Sequence, residues 1–226
     1  MAKITVHHLQ VSQSERIPWL LEELGVPYEL KTYRRAPLLA PAEYKALHHS
    51  GAAPVIHDAS TSPGLVLAES GACVEYLARR HGGGRLFVEP ADPGYADFLY
   101  WWHWSNGTLQ PAVARAMYVR GSGGGTEDSP MRAVAREKLA RALAALDDQL
   151  GRTRYMAGDE LTAADVMTVF SLTTMRYFSP YSLAEYPNIL EYLQRIGKRE
   201  AYRTAMAKSD PDMKLALGAD SPKPLL

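Results

Sequence analysis

The sequence has little of what several classes of protein require. Cys73 is the one cysteine among 226 residues, which excludes an intrachain disulfide and a CxxC redox or zinc motif. The formal net charge is zero, so no basic excess indicates nucleic acid binding. No stretch approaches the ~18 apolar residues of a membrane span, and the N-terminus lacks the apolar core of a signal peptide. These absences favour a cytoplasmic protein that binds neither nucleic acid nor membrane.

Two other patterns are weak signals for a metal or a phosphate. His7 and His8 lie on a predicted strand, where neighbouring side chains point to opposite faces, so the pair does not chelate readily. The glycine-rich run 121–125 does not follow a strand pattern, so it predicts a break between helices rather than a phosphate-binding loop. We therefore expect no metal site.

The first 81 residues combine strand and helix patterns, and at 46% hydrophobic the chain can bury a sizeable core. Residues 3–8 alternate as in a strand, and apolar residues at helical spacing run from Ile17 to Leu24. The complete order is β-α-β-α-β-β-α, whose first βαβ unit should contain parallel strands and whose last two strands form a hairpin. The sequence thus predicts an α/β domain over residues 1–81, with a four-stranded mixed sheet and helices on both faces.

The rest of the chain is predicted to be helical. Residues 82–92 are rich in glycine and proline and are interpreted as a linker. We predict an all-α domain over residues 93–208, followed by a C-terminal tail, 209–226, on the surface. Thr162 and Asp165 have the spacing of a capping box, which favours a helix start there. The other predicted helices of this domain cover residues 95–120, 132–150, 188–196 and 200–207.

Two short motifs in the first domain favour a peptide-like ligand. Ala53-Pro54-Val55 places extended backbone beside a proline, which offers N–H and C=O groups. Glu69 and Ser70 fall at a predicted helix start, where a carboxylate, a hydroxyl and the helix N-terminal amides come together. Together the two motifs can hold a ligand that carries both an amine and a carboxylate.

Five segments of the sequence resemble the cytosolic glutathione transferase family, over nearly the full length of the chain. They are Ser12-Gln13-Ser14-Glu15-Arg16, Trp19 to Gly25 (WLLEELG), Ala53-Pro54-Val55-Ile56, Leu67 to Ala72 (LAESGA) and Leu161 to Val166 (LTAADV). The run WLLEELGVPYE is similar to the fungal and bacterial branch of that family. The resemblance implies a thioredoxin-like N-terminal domain, an all-helical C-terminal domain and a homodimer.

The resemblance also implies how glutathione binds. Pro54 would follow a cis peptide bond, and the backbone of the Ala53-Pro54-Val55 motif, Val55 above all, would pair with the cysteinyl part in strand-like fashion. Glu69 suits the ammonium group of the γ-glutamyl end, and Ser70 at the helix N-terminus suits its carboxylate. Glutathione is therefore the expected substrate, with no metal.

Ala52 departs from the family pattern. Many relatives carry Lys or Gln two residues before the cis-proline, where it holds the glycyl carboxylate of glutathione. This chain has Ala52 at that position, so either another cation replaces the missing residue or glutathione binds more weakly. The candidate replacements are Arg34, Lys45, His48 and His49.

Ser12 is the candidate catalytic residue, because it precedes Arg16 by the spacing of the catalytic serine in the serine-type classes of the family. Only the thiolate of glutathione is a good nucleophile, and a hydroxyl that donates to it at a helix N-terminus lowers the thiol pKa. Ser14 is the alternative contact of the sulfur, and backbone amides alone are a third. Ser12 and Glu15 also have capping-box spacing, so a purely capping role for Ser12 stays open. Arg16 itself is interpreted as a structural ion-pair partner.

In the family, the first long helix of the second domain lines the electrophile pocket. Trp102, His103, Tyr118 and Phe178 are therefore candidate contacts of the second substrate, although tryptophans in a long helix also serve as core. Asn106 falls where related sequences often place an acidic or polar residue near the glutathione of the other subunit.

The resemblance predicts a homodimeric detoxification enzyme, a transferase that conjugates glutathione to a small hydrophobic electrophile. Two alternatives stay open. The same site supports glutathione peroxidase or thiol–disulfide chemistry, and the loss of the cation at Ala52 fits a non-catalytic ligand-binding module. Cys73 lies past the thiol-activating turn and is expected in the core, which argues against a cysteine-type member.

Overall fold

The computed structural model describes residues 3–121 and 129–225 and divides the chain into two compact units. One comprises Met1–Phe87 with Gly197–Lys214, and the other comprises Val88–Ile196 with Leu215–Leu226. The final helix therefore belongs with the sheet, whereas the sequence analysis grouped it with the other helices. Of the glycine-rich run that was expected to break two helices, residues 122–125 lie outside the described residues.

Four strands form one mixed sheet in the order β2-β1-β3-β4. β1 (Ile4–Leu9) pairs in parallel with β2 (Tyr28–Tyr33) and antiparallel with β3 (Val55–Asp58), and β3 pairs antiparallel with β4 (Leu65–Ala68). The register places Val55 opposite a β1 residue on one side and a β4 residue on the other. The predicted parallel pair, the hairpin and the mixed sheet are confirmed.

Helix α1 (Arg16–Leu24) links β1 to β2. A short 3-10 turn, Gln13–Glu15, precedes it, and Ser12 caps this turn. Pro18 stands in the first turn of the helix, where the N–H groups have no intrahelical partner. Gly25 ends the helix in the left-handed conformation, with φ 63°, which glycine adopts without a steric penalty. The predicted helix and its end are confirmed.

Three further helices belong to the first unit: α2 (Ala42–Lys45), α3 (Ser70–Arg80) and α9 (Glu200–Ser209). Helix α2 buries Tyr44 in a cluster with apolar residues of β1, β3 and β4. Helices α3 and α9 both pack against α1. Trp19 of α1 meets Tyr202 of α9 edge-on, with ring centres 5.0 Å apart. The last helix thus supplies part of the core around the first one.

In the described residues of the second unit there are helices and no strand. They are α4 (Tyr95–Trp104), α5 (Gln110–Gly121), α6 (Pro130–Leu150), α7 (Ala163–Leu172) and α8 (Pro187–Gly197), the last ending at the boundary with the first unit. A π-helical segment, Ser105–Leu109, joins α4 to α5, so the single helix predicted over 95–120 is widened in its middle. Thr162 and Asp165 form the predicted capping box of α7.

From Leu215 onward, the C-terminal tail belongs to the second unit. Arg176 is fully buried, and its guanidinium donates to the carbonyl oxygens of Gly218 and Ala219 at 2.9 and 2.7 Å. The backbone N–H of Leu225 donates to the carbonyl oxygen of Tyr177 at 2.9 Å. The predicted surface tail therefore also supplies backbone acceptors to a buried cation.

Candidate active site

Ser12 and Ser14 follow the end of β1 and share a compact hydrogen-bond network. Ser12 Oγ lies 2.7 Å from Ser14 Oγ and 2.7 Å from the carbonyl oxygen of Leu9. Ser14 Oγ also accepts from the N–H of Leu9 and lies 2.8 Å from His8 Nδ1. Ser12 is 5% exposed, whereas Ser14 is fully buried. Of the two serines, Ser12 is therefore the one with some exposure to a ligand.

The capping role of Ser12 is confirmed, and it uses the hydroxyl oxygen as an acceptor rather than the hydroxyl hydrogen as a donor. Ser12 Oγ accepts from the N–H of Ser14 at 3.2 Å, which uses a lone pair of the oxygen. The hydroxyl hydrogen donates to the carbonyl oxygen of Leu9. Capping and a hydrogen bond to sulfur are thus compatible, since they use different parts of one hydroxyl group.

The peptide bond between Ala53 and Pro54 is cis, which confirms that expectation. Val55 is 1% exposed and lies opposite residues of β1 and β4, and the expected pairing of its backbone with a ligand stays a prediction. Ala53 lies outside the strands and is half-buried. Its carbonyl oxygen accepts from Gln13 Nε2 at 2.8 Å. Ala53 is thus the more exposed of the two residues that flank the proline.

Glu69 and Ser70 lie at the start of α3, where the sequence analysis placed them. Glu69 has φ 73°, a backbone conformation that residues other than glycine rarely adopt and that concentrates at ligand sites. Its side chain is exposed, whereas Ser70 is buried. Ser70 Oγ accepts from Arg16 Nη1 at 3.0 Å. The two residues expected to hold an α-amino acid group are thus next to a buried cation.

Arg16 is the member of this site whose role sequence reasoning missed. Its side chain is fully buried, and Nη1 also donates to Gln13 Oε1 at 3.1 Å. Burial lowers the pKa of Arg16 to about 9, against the opposing effect of Glu15, so the guanidinium keeps its charge at neutral pH. Its spacing from Ser12 was visible in the sequence. Its bond to Ser70 was not, because that residue is 54 positions away.

Lys45 is the best placed of the candidates for the missing cation at Ala52. A Cβ atom added to Gly51 would lie 3.6 Å from Lys45 Cγ, so the lysine stem runs beside the residue that precedes Ala52. His48 Nδ1 lies 3.0 Å from the hydroxyl oxygen of Ser50, and the ring of the next histidine is 4.1 Å away between ring centres, tilted by 37°. An exposed lysine beside position 52 can therefore supply a positive charge where the family's residue is lacking.

The candidate electrophile contacts of the helical unit lie in different environments. Trp102 is buried and stacks on another aromatic ring of α4, with ring centres 6.2 Å apart. His103 and Tyr118 are exposed, Tyr118 at 70%, and Phe178 is half-buried. Asn106 is exposed on the π-helical segment. Trp102 thus serves the core, and the other side chains retain access to solvent.

A cavity of about 350 Å³ lies between α5, α6 and the segment after α7. Its lining residues are Ala116, Val119, Arg120, Arg132, Ala135, Arg136, Leu139, Ser179, Pro180 and Tyr181. The lining combines apolar side chains with guanidinium groups, and Arg132 Nε is buried without a hydrogen-bond partner. Sequence reasoning missed this cavity because its walls come from three separate segments. Such a lining suits an apolar ligand that carries a negative charge.

Comparison with known protein families matches both units. The model described as glutathione S-transferase, N-terminal domain, matches residues 12–80, and the model of the C-terminal domain matches residues 100–200. Glutathione S-transferase 3 of Schizosaccharomyces pombe is 30% identical, over 96% of this chain and 92% of that protein. Glutathione S-transferase 1 of Saccharomyces cerevisiae is 27% identical, over 91% of this chain and 95% of that protein.

Solved structures give the same result. A crystal structure of a glutathione S-transferase from Actinobacillus pleuropneumoniae has a TM-score of 0.80 and 32% identity, covering 95% of this chain and 98% of that one. A Pseudomonas fluorescens family member, crystallised with two glutathione molecules bound, has a TM-score of 0.75 at 22% identity. It covers 90% of this chain and 92% of its own, and it shows the shared fold.

The chain belongs to the glutathione S-transferase family. It is accordingly an enzyme of the transferase class, with a thioredoxin-like N-terminal domain and a helical C-terminal domain. Within residues 3–121 and 129–225, no helix is long and apolar enough to cross a membrane. The same residues contain no group of three or more His, Cys, Asp or Glu side chains placed to hold a metal ion.

Proposed function

We propose that the protein is a serine-type glutathione transferase, in which Ser12 stabilises the glutathione thiolate for attack on a small hydrophobic electrophile. The observation that carries the proposal is the Ser12 hydroxyl at the turn that opens α1. Its hydrogen donates to a backbone carbonyl oxygen, and a bound thiolate can replace that carbonyl as the acceptor. In the reaction the thiol loses its proton, the sulfur forms a bond to carbon, and the leaving group departs with its electron pair.

The chemistry requires a thiol pKa below that of free glutathione. A free thiol has a pKa of ~8.5, and a helix N-terminus or nearby hydrogen-bond donors lower such values to ~3.5–7.5. Cys73 does not compete as a nucleophile, because burial, followed by the effect of Glu69, raises its pKa to about 12. These facts support a serine-type mechanism over a cysteine-type one.

The γ-glutamyl end is proposed to bind at the start of α3. Ser70 Oγ accepts from Arg16, so its own hydrogen is directed to another acceptor, and a ligand carboxylate suits that position. The buried charge of Arg16 favours an anion there. The exposed carboxylate of Glu69 suits the ammonium group of the same residue.

The cysteinyl and glycyl parts are proposed to bind along the loop before β3. The cysteinyl backbone pairs with Ala53, where a ligand N–H replaces Gln13 Nε2 as the donor to the carbonyl oxygen. The glycyl carboxylate then extends toward Ala52, and Lys45 balances its charge. Pro54 fixes the direction of this backbone, and Val55 anchors it in the sheet.

For the electrophile we propose an apolar molecule that contacts the helical unit. Tyr118 and Phe178 are adjacent in sequence to residues that line the cavity, and His103 is exposed on α4. Trp102 supports this region from the core. An apolar electrophile with a negative group would also suit the arginines of the cavity.

A cytoplasmic homodimer is part of the proposal. Leu99 and Tyr100 on α4 and Met131 and Val134 on α6 are large apolar side chains exposed by 38 to 66%. Exposed apolar side chains on neighbouring helices favour burial against another protein surface. Asn106 is proposed to lie near the glutathione of the second subunit.

The test compares two capping serines. Ser12→Ala should raise the pKa of bound glutathione by about one unit and lower turnover about tenfold at neutral pH, since each unit is ~1.4 kcal/mol. Ser129→Ala removes the cap of α6, where Ser129 accepts from the N–H of Arg132, and should leave both quantities unchanged. Each variant should lose ~0.5–2 kcal/mol of stability. The measurements are thiolate absorbance against pH, turnover with a panel of aryl and alkyl electrophiles, and urea unfolding.

Three outcomes would contradict the proposal. Equal losses of activity in Ser12→Ala and Ser129→Ala would show that Ser12 serves only as a cap. Peroxide turnover well above conjugation would favour the peroxidase or thiol–disulfide alternative. Wild-type protein whose melting temperature ignores glutathione, and which conjugates no electrophile, would be a non-catalytic binding module.

A further inference from the structure

Behind Ser12, a chain of hydrogen bonds runs into the interior of the first unit. Ser12 Oγ lies 2.7 Å from Ser14 Oγ, and Ser14 Oγ lies 2.8 Å from His8 Nδ1. His8 Nε2 lies 2.9 Å from Asp210 Oδ2. The four residues come from three segments of the chain, and each is at most 5% exposed. The mechanism described so far uses only Ser12, so it leaves the other three polar groups unexplained.

Asp210 fixes the tautomer of His8. Its Oδ1 accepts from the N–H of Val11 at 2.9 Å, and its Oδ2 accepts from the Nε2–H of His8. A neutral ring that donates from Nε2 presents an unprotonated Nδ1 to Ser14. Val11 has φ 50°, so the same carboxylate also holds an unusual backbone turn just before Ser12. Asp210 thus positions both ends of this hydrogen-bond chain, namely the His8 ring and the turn before Ser12.

The hydrogens of the Ser12–Ser14–His8 chain can point in either of two directions, and both keep the two hydrogen bonds of the chain. In the first, Ser12 donates to Ser14 and Ser14 donates to neutral His8. In the second, charged His8 donates to Ser14, and Ser14 donates to Ser12. In both, Ser14 Oγ accepts from the N–H of Leu9 and Ser12 Oγ accepts from the N–H of Ser14. In the second, the Ser12 hydrogen donates to the carbonyl oxygen of Leu9, which a bound thiolate can replace as the acceptor.

We propose that this chain is a proton relay that carries the glutathione thiol proton to His8, an inference that rests on the proposed function. The S–H bond breaks as its hydrogen forms a bond to Ser12 Oγ. The former Ser12 hydrogen moves to Ser14, and the former Ser14 hydrogen moves to His8 Nδ1. The products are a thiolate and an imidazolium, and no oxidant or further reactant is needed. Ser12 then donates to the sulfur, and Asp210 balances the charge on His8.

The charged groups around His8 are consistent with this transfer. Asp210, directly after α9, contacts the ring and supplies the negative charge. Arg35 donates to the carbonyl oxygens of Gln10 and Val11, and its charge interacts with that of Asp210. The β2 residue opposite His8 in the sheet is Thr32, which does not titrate. His8, Ser14 and Asp210 are positioning residues, since they act on the sulfur through Ser12.

The test removes the basic imidazole ring of His8 and measures the pKa of the bound glutathione thiol. His8→Gln keeps an amide near Asp210 but cannot take up a proton, so the pKa of bound glutathione should rise. Turnover at neutral pH should fall by about 10- to 100-fold, in the lower part of the range for acid–base groups. The loss should shrink at high pH, where the thiol ionises without help. His7→Gln is the matched control, because His7 is on the same strand but its Nδ1 contacts Tyr33.

The coupling to Ser12 gives the sharper readout. In a Ser12→Ala background, His8→Gln and Ser14→Ala should cause no further loss, because the relay is already broken. Binding of S-methylglutathione, which has no thiol proton, should be the same in all variants that fold. If His8→Gln does not fold, Ser14→Ala and Asp210→Asn replace it, and the same rise in thiol pKa and fall in turnover are expected of them.

Each remaining result overturns one statement only. Wild-type protein without a bound thiolate at neutral pH would refute the proposed function itself. A wild-type thiolate that persists unchanged in both His8→Gln and Ser14→Ala would refute the relay and leave the role of Ser12 intact. Additive losses in the Ser12→Ala background would also refute it, since they would show that His8 acts elsewhere.

Discussion

At the scale of single residues, we propose that Lys45 supplies the positive charge that the family pattern places at position 52. Its stem runs beside Gly51, one residue from the position where a lysine or glutamine is usual. Lys45→Ala should therefore weaken glutathione binding by about two- to fivefold, the size of a solvent-exposed ion pair. Isothermal titration calorimetry at low and high salt measures this, and the difference should shrink as salt screens the charge.

Two matched variants sharpen the experiment on Lys45. Lys31→Ala removes an exposed lysine from β2, where it pairs with Glu29, and should leave the affinity unchanged. Ala52→Lys adds the residue that the family pattern favours and should restore the affinity of Lys45→Ala. If Lys45→Ala binds glutathione as tightly as the wild-type protein, a group other than Lys45 binds the glycyl carboxylate.

At the element scale, Asp58 ties the end of β3 to the end of α3. Its carboxylate accepts from the N–H of Ser60 at 2.7 Å, from the hydroxyl of Tyr76 at 2.8 Å and from His81 Nε2 at 2.6 Å. Burial acts to raise the pKa of Asp58, but these hydrogen bonds outweigh it and hold the pKa well below its usual range. The sheet and the helix that follows it are therefore joined by one ionised carboxylate.

This lowered pKa makes the first unit sensitive to acid. A group with a lowered folded-state pKa contributes stability that is present above its unfolded pKa of ~3.9 and is lost as the pH falls through the folded value. Asp58→Asn should cost ~1–3 kcal/mol at neutral pH and reduce the loss of stability below about pH 4. Urea unfolding at a series of pH values measures both. An unchanged acid slope would show that Asp58 is not the titrating group.

Elements with a local sequence signal could be predicted, whereas long-range contacts could not. The strands, the βαβ unit and Gly25 follow from periodicity and from backbone preferences of single residues. The bond from Arg16 to Ser70 and the bond from His8 to Asp210 join residues 54 and 202 positions apart. No periodicity encodes such pairs. The π-helical segment between α4 and α5 was missed because the sequence prediction treated residues 95–120 as one helix, although Gly107 and Pro111 lie within that range.

At the scale of the whole molecule, the exposed apolar residues of α4 and α6 predict the oligomeric state of the protein. We expect a dimer by light scattering, and Tyr100→Glu with Val134→Glu should shift it toward the monomer by burying charges at the interface. Tyr118→Glu is the control, because Tyr118 is exposed but is assigned to the electrophile. A wild-type protein that is monomeric at micromolar concentration would refute the dimer.

The first unit is also assembled from both ends of the chain. Helix α9 packs on α1, and Arg199 donates to the carboxylate of Glu23 at 2.6 and 2.8 Å. Lys208 contacts Glu22 at 2.6 Å, so two ion pairs secure the helix. The match to the N-terminal family model ends at residue 80, whereas the compact unit around the sheet also includes residues 197–214.

Asp210 follows Val11 by 199 positions, yet its carboxylate holds the backbone of the turn before Ser12. During synthesis, all four strands leave the ribosome before this contact can form. The turn before Ser12 therefore acquires its support only after residue 210 has been added. We expect a truncation that removes residue 210 to retain the strands but to lose the conformation of this turn.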